Sequence, residues 1–85
     1  MLISQTVPRY PERARLLGVA GLVRLEAILS REGRIEQGIK VLESIPLLDE
    51  AASDALRQWR FTPARDDSGR PVRVILEVPF RFTLN

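Results

Sequence analysis

Two groups of carboxylates are the first places where this sequence could do chemistry. Asp49, Glu50 and Asp54 fall close enough to share one helix, and Asp66 and Asp67 stand side by side just before Gly69. Paired carboxylates become general acids, general bases or metal ligands when a base, a further ligand or a phosphate-cradling glycine loop stands by. Nothing of the kind accompanies either group. The chain has no histidine and no cysteine, which removes the commonest general base and metal ligand and leaves neither disulfides nor thiolate chemistry. Asp49 therefore reads as a helix-start residue, and Asp66 and Asp67 as turn formers. No catalytic residue, metal ligand or cofactor is expected.

The other chemically distinctive stretch is ALRQWRFTPAR, Ala55 to Arg65, which carries the only tryptophan, set between Arg57 and Arg60. A tryptophan at the end of an amphipathic helix serves either as a core anchor or as a ligand platform. Here Trp59 closes the stripe Leu48, Ala52, Ala55 and Leu56, a spacing that turns the ring toward the core. Phe61 and Pro63 then steer the chain out of the helix.

The elements that must position these residues follow from patterning. Pro11 to Leu17 predicts a short helix ended by Gly18, with Ala14, Leu17 and Leu16 toward a sheet. GLVRLEAILS, Gly21 to Ser30, alternates Val23, Leu25, Ala27 and Leu29 against polar residues and predicts a strand with one buried face. SREGR suits a hairpin loop, after which a second strand is expected from Arg34 to Glu43 with a bulge near Gly38. A helix follows from Pro46. After the turn Asp66 to Pro71, the alternating run Val72 to Leu84 predicts a long final strand. The fold class is α+β: two helices packed on one face of a three-stranded antiparallel sheet, in the order helix, strand, strand, helix, strand, as a single domain over residues 1–85. The last strand is expected to pair with the first, giving a spatial order of second, first, third and leaving the last strand as an edge.

The 85 residues are 45% hydrophobic and 28% charged, an ordinary globular composition, and the net charge of +2 with arginines scattered among acids does not suggest nucleic acid. No run approaches the roughly 18 apolar residues of a membrane helix, and the start MLISQTVPRY lacks the features of a signal peptide. The chain as given is expected to be soluble.

A long edge strand is either guarded or used. Arg73, Glu77, Pro79 and Arg81 fit the guarding role. Alternatively, an extended peptide adds to the edge through its main chain.

Three segments, PRYPERARLLGVAGLVRLEAILSREGRI, PLLDEAASDALRQWRFTPA and GRPVRVILEVPFRF, together resemble the C-terminal domain of the TonB family of energy transducers. The resemblance runs from about Val7 to Leu84. Tyr10-Pro11, Gly18, Gly21 and the QWRFTPA of Gln58 to Ala64 are its most specific parts. It implies a periplasmic domain on a parent anchored in the inner membrane by an N-terminal helix and a proline-rich linker. That parent would work with ExbB and ExbD, and the domain would grip the TonB box of outer-membrane transporters. In the family the box is added as a strand beside the last strand, which corresponds to Arg73 to Phe82. The resemblance thus makes Arg73, Val74, Ile75, Leu76, Glu77 and Arg81 candidate peptide-binding residues, with Val7, Arg9 and Tyr10 as further partner contacts. Val7 stands where the family often has glutamine, and Glu43-Ser44 replaces the commoner Ser-Gly. Two other readings stay open: a homodimeric assembly module that exchanges its edge strand, and a scaffold domain of an unrelated membrane protein.

Overall fold

The structure is a computed structural model and describes residues 2–84. In chain order it contains β1 (Leu2–Ser4), α1 (Glu12–Leu16), β2 (Gly21–Leu29), β3 (Lys40–Glu43), α2 (Pro46–Arg57), β4 (Arg60–Phe61), β5 (Ala64–Arg65), β6 (Pro71–Val72) and β7 (Val74–Phe82). The main sheet places β2 between β3 and β7, both antiparallel to it, which is the strand order expected from a hairpin and a returning helix. The expected order of elements is too simple, because β1 pairs with β4 and β5 with β6 as two small ribbons outside that sheet. Among the described residues no helix is long and apolar enough to cross a membrane.

Alternation in β2 does what its sequence dictates. Val23, Leu25, Ala27 and Leu29 are buried, while Leu22, Arg24, Glu26 and Ile28 are only partly covered on the other face. In β7 the same period buries Val78, Phe80 and Phe82, and α2 closes the layer with Leu48, Ala52, Ala55 and Leu56. Burying such a set is the main driving force for a domain of this size. The start of α2 is fixed by Pro46 in its first turn and by Asp49, whose carboxylate accepts the Ile45 backbone N–H at 2.8 Å and the Ser44 hydroxyl.

Trp59 is 8% exposed. Its ring meets Phe80 edge-on with centroids 5.3 Å apart and tilts against Phe61 at 6.3 Å. The indole nitrogen donates to the Thr6 carbonyl at 2.9 Å, so the buried polar handle is satisfied by the N-terminal segment. Tyr10 makes a parallel connection: its ring stands edge-on to Phe82 at 5.5 Å and its hydroxyl donates to the Val19 carbonyl.

Three expectations need correction. In α1 only Ala14 is buried; Leu16 and Leu17 are exposed, because a helix this short presents a single residue to the layer below. The second strand does not begin at Arg34. Apart from single bridges at Arg34 and Ile35, the connection is irregular until Lys40, and Gly38, at φ 87°, lies outside any ladder. The bulge falls instead at Leu42, since Val41 faces Leu25 while Glu43 already faces Arg24. The long final strand is split at Arg73: Pro71 and Val72 pair back to Arg65 and Ala64, and β7 starts at Val74.

One glycine is irreplaceable on steric grounds. Gly33 has φ 84°, and a Cβ built on it would lie 1.9 Å from the Phe61 carbonyl oxygen. The hairpin loop and the exit from α2 meet there backbone to backbone, the Phe61 N–H donating to the Gly33 carbonyl at 2.9 Å.

Truncation of Trp59 to alanine is expected to lower the unfolding free energy by about 3 to 5 kcal/mol, the cost of emptying a buried large-aromatic site. Trp59→Phe restores part of the volume but leaves the Thr6 carbonyl without its indole donor. Denaturant melts should therefore rank wild type above Trp59→Phe and both above Trp59→Ala; equal midpoints would show that the ring is not part of the core.

Candidate functional site

The direction of the free groups along β7 follows from one hydrogen bond on the far side of its neighbour. The Ile28 carbonyl accepts the Glu36 N–H at 2.9 Å, so Ile28 turns its backbone toward the β3 side and away from β7. Ile28 stands opposite Ile75 in an uninterrupted antiparallel register that runs from Gly21–Phe82 to Leu29–Val74. Opposed residues in such a ladder alternate between pairs that exchange both bonds and pairs that exchange none. Ile28–Ile75 is of the second kind, and Ile75 directs its N–H and carbonyl outward from the sheet. Counting in twos, Glu77, Pro79 and Arg81 do the same. Proline then sits where its nitrogen faces away from the ladder, the position a strand tolerates.

The two edges of the sheet differ sharply. β3 is short, bulged at Leu42 and headed by Lys40, three devices that discourage further pairing. β7 is nine residues long with no register shift, and its outer-face side chains Ile75, Glu77, Pro79 and Arg81 are exposed. Ile75, at 70% exposure, is an aliphatic side chain with no cover.

Of the residues singled out from the sequence, Ile75, Glu77 and Arg81 share this open edge. Val74 and Leu76 point to the opposite face and are half-buried, Leu76 packing against the core. Arg73 lies in the break before β7. Its guanidinium donates to both carboxylate oxygens of Glu36, at 2.8 and 2.9 Å, tying the start of the strand to the β2–β3 connection. That contact holds the Glu36 carboxyl below its usual pKa and raises that of Arg73. Glu77 is engaged by Arg24, which also donates to Glu43 at 2.9 Å and is raised in pKa by the two carboxylates together. This ion-paired row crosses all three strands of the main sheet on its outer face.

The N-terminal contacts lie beside the far end of the same strand. Gln5 to Pro8 and the segment Pro79 to Thr83 border a groove of about 360 Å³ with Trp59 at its base. Val7 is 81% exposed and Arg9 is exposed, whereas Tyr10 is occupied by Val19 and Phe82 and acts as a fastening. Sequence reasoning missed Thr6, whose carbonyl holds the segment to Trp59, and missed β1; three exposed residues carry no burial pattern to detect. Three of the acids considered for catalysis are used locally: Asp49 at the start of α2, Asp54 by Arg57, and Asp66, which accepts the Ser68 and Arg70 N–H groups at 2.9 and 3.0 Å, as a turn residue does. Among the described residues no group of acids is arranged to hold a metal ion.

Residues 6–84 match the sequence profile of the family described as Gram-negative bacterial TonB protein C-terminal. The chain belongs to the TonB C-terminal family. It is similar to the Protein TonB of Vibrio cholerae serotype O1, 36% identical over 85 residues that make up 99% of this chain and 34% of that protein. Protein TonB of Pseudomonas aeruginosa is 38% identical over 58 residues, 66% of this chain and 17% of that protein. The Escherichia coli K12 Protein TonB is 27% identical over 78 residues, covering 89% of this chain and 32% of its own length. The chain thus spans about a third of the first of these relatives. Among solved structures, the solution NMR structure of the Pseudomonas aeruginosa TonB CTD superposes with a TM-score of 0.80 at 30% identity, covering 99% of this chain and 85% of that one. The α+β fold is therefore that of a TonB C-terminal domain.

The Glu36–Arg73 pair gives a pH signature. A carboxylate whose pKa is depressed in the folded state contributes stability that is present above its unfolded pKa and lost as the pH falls through the folded value. The pair is solvent-exposed, so the contribution is small. In an acid titration followed by side-chain carboxyl shifts, Glu36 should titrate below the ordinary glutamate range, and Arg73→Gln should return it to that range. An unchanged Glu36 titration in the variant would show that Arg73 does not hold the carboxylate in solution.

Proposed function

We propose that this domain is the peptide-binding, force-transmitting end of a TonB-like energy transducer, and that it takes the TonB-box segment of outer-membrane transporters as an added strand on the free edge of β7. The observation that carries this reading is the run of outward-facing backbone groups at Ile75, Glu77 and Arg81 on a long, unshifted and uncovered strand. Family membership supplies the partner class: transport energised through an inner-membrane parent, with the domain in the periplasm and ExbB and ExbD acting on parts of that parent beyond this domain. The reading involves no enzymatic step and no cofactor. Main-chain bonds would supply most of the affinity, and the outer-face side chains would tune it. Ile75 offers aliphatic surface beside the added strand, Arg81 offers a charge, and the groove by Val7 and Pro8 lies next to the strand's far end.

The direct test removes a donor without touching the core. Ile75→Pro abolishes one outward N–H on an exposed residue and is expected to weaken a synthetic TonB-box peptide by at least about 1 kcal/mol, or roughly fivefold. Arg81→Gln leaves the backbone intact and should act mainly through the salt dependence of association. Arg73 is a poor site for a charge reversal, because a glutamate there would face Glu36 in place of its ion-pair partner. The measurement is titration of the peptide into isotope-labelled domain, following amide shifts. Shifts confined to α2, with Ile75 to Arg81 unmoved, would rule out strand addition; dimerisation through β7 without response to peptide would favour the strand-exchanging assembly module.

A further inference from the structure

A second groove, on the opposite side of the N-terminal segment from the β7 edge, runs along the outer face of α2. Its volume is about 570 Å³, within the range of ligand-binding clefts. One wall is built from Val7, Pro8 and Pro11, the other from Pro46, Leu47 and Ala51. Along α2 it extends from Leu47 to Gln58, which at the helical rise is about 16 Å, the length of about five residues of extended chain. Pro8 and Pro11 carry no backbone N–H, so an occupant gains little from a main-chain ladder here and is recognised through side chains.

Charge decides what those side chains are. Glu50 and Asp54 project from the α2 wall one helical turn apart. Like charges at this spacing repel. Asp54 is shared with Arg57 at 2.9 Å, while among the described residues Glu50 has no ion pair or side-chain hydrogen bond. Arg9, on the other wall, likewise has no ion pair among the described residues. A lysine or arginine brought in on an apolar segment would relieve the repulsion on the α2 side, and Arg9 would be free to donate to the segment's carbonyls.

We propose that this groove is a second docking site, for a short extended segment whose aliphatic side chains lie between Val7 and Leu47 and whose cationic side chain reaches the Glu50–Asp54 pair. The site is independent of strand addition to β7, although Thr6, Val7 and Pro8 border both grooves.

The probe is the capped pentapeptide acetyl-Leu-Lys-Val-Leu-Ala-amide, titrated into the labelled 85-residue chain, with a counterpart in which glutamate replaces lysine. Saturable amide shifts are expected at Val7, Arg9 and Leu47 to Asp54, and the glutamate peptide should not produce them. The double variant Glu50→Gln, Asp54→Asn keeps the helix and should weaken binding about threefold to tenfold, as loss of one or two partly exposed ion pairs implies. Val7→Ser, on the other wall, should weaken it without altering its salt dependence. Equal binding of the two peptides, unchanged affinity in the double variant, or no saturable shift up to millimolar peptide would overturn the proposal. Shifts restricted to Ile75 to Arg81 would overturn it while leaving the edge reading intact.

Discussion

The indole of Trp59 is the joint on which the rest of the arrangement depends. It ends the buried stripe of α2, lies against Phe80 of β7 and Phe61 of the exit chain, and spends its single donor on the Thr6 carbonyl. One side chain thereby relates the end of the main helix, the edge strand β7 and the N-terminal segment. The burial is apolar and non-directional, but the N–H is directional, and together they fix where Thr6 to Pro8 runs. Both surface grooves owe their shape to that placement, since the same short segment forms a wall of each.

Around this joint the sheet is organised so that its two edges have opposite characters. β3 is broken into irregular chain before Lys40 and bulged after Val41, while β7 is regular throughout its pairing with β2. Local electrostatics reinforce the regular side. Arg73 fastens the start of β7 to Glu36, and Arg24 ties Glu77 to Glu43 across the outer face. Individually such exposed pairs contribute little to stability. Their effect is geometric: they keep side chains on the outer face engaged and leave the outward backbone groups uncovered.

Much of this was legible in the residues. The alternation of β2 and β7, the stripe of α2 with Pro46 and Asp49 at its start, and the inward turn of Trp59 all follow from periods that burial enforces. What misled was treating apolar periodicity as evidence of a ladder. Ile35 and Ile39 do pack against the core, but from irregular chain around Gly38, where the spacing of buried side chains is kept and the hydrogen bonds are not. Leu16 and Leu17 show the converse, apolar residues on a helix too short to bury them. The candidate strand itself was visible; which of its residues face outward was not, because that depends on the Glu36–Ile28 bond across the sheet. The grooves were invisible too, since they arise from a contact between Thr6 and Trp59, 53 positions apart.

The proline in β7 has a consequence for alignment. Along the open edge, donors recur at Ile75, Glu77 and then Arg81, with an acceptor but no donor at Pro79. A uniform edge looks the same to an incoming strand after every two-residue slide, so it can be occupied in several frames and can template its own copies end over end. The gap removes that translational symmetry. An added strand leaves one of its own carbonyls facing Pro79 without a donor, and frames that place there a carbonyl turned to solvent or bonded elsewhere are favoured over the rest.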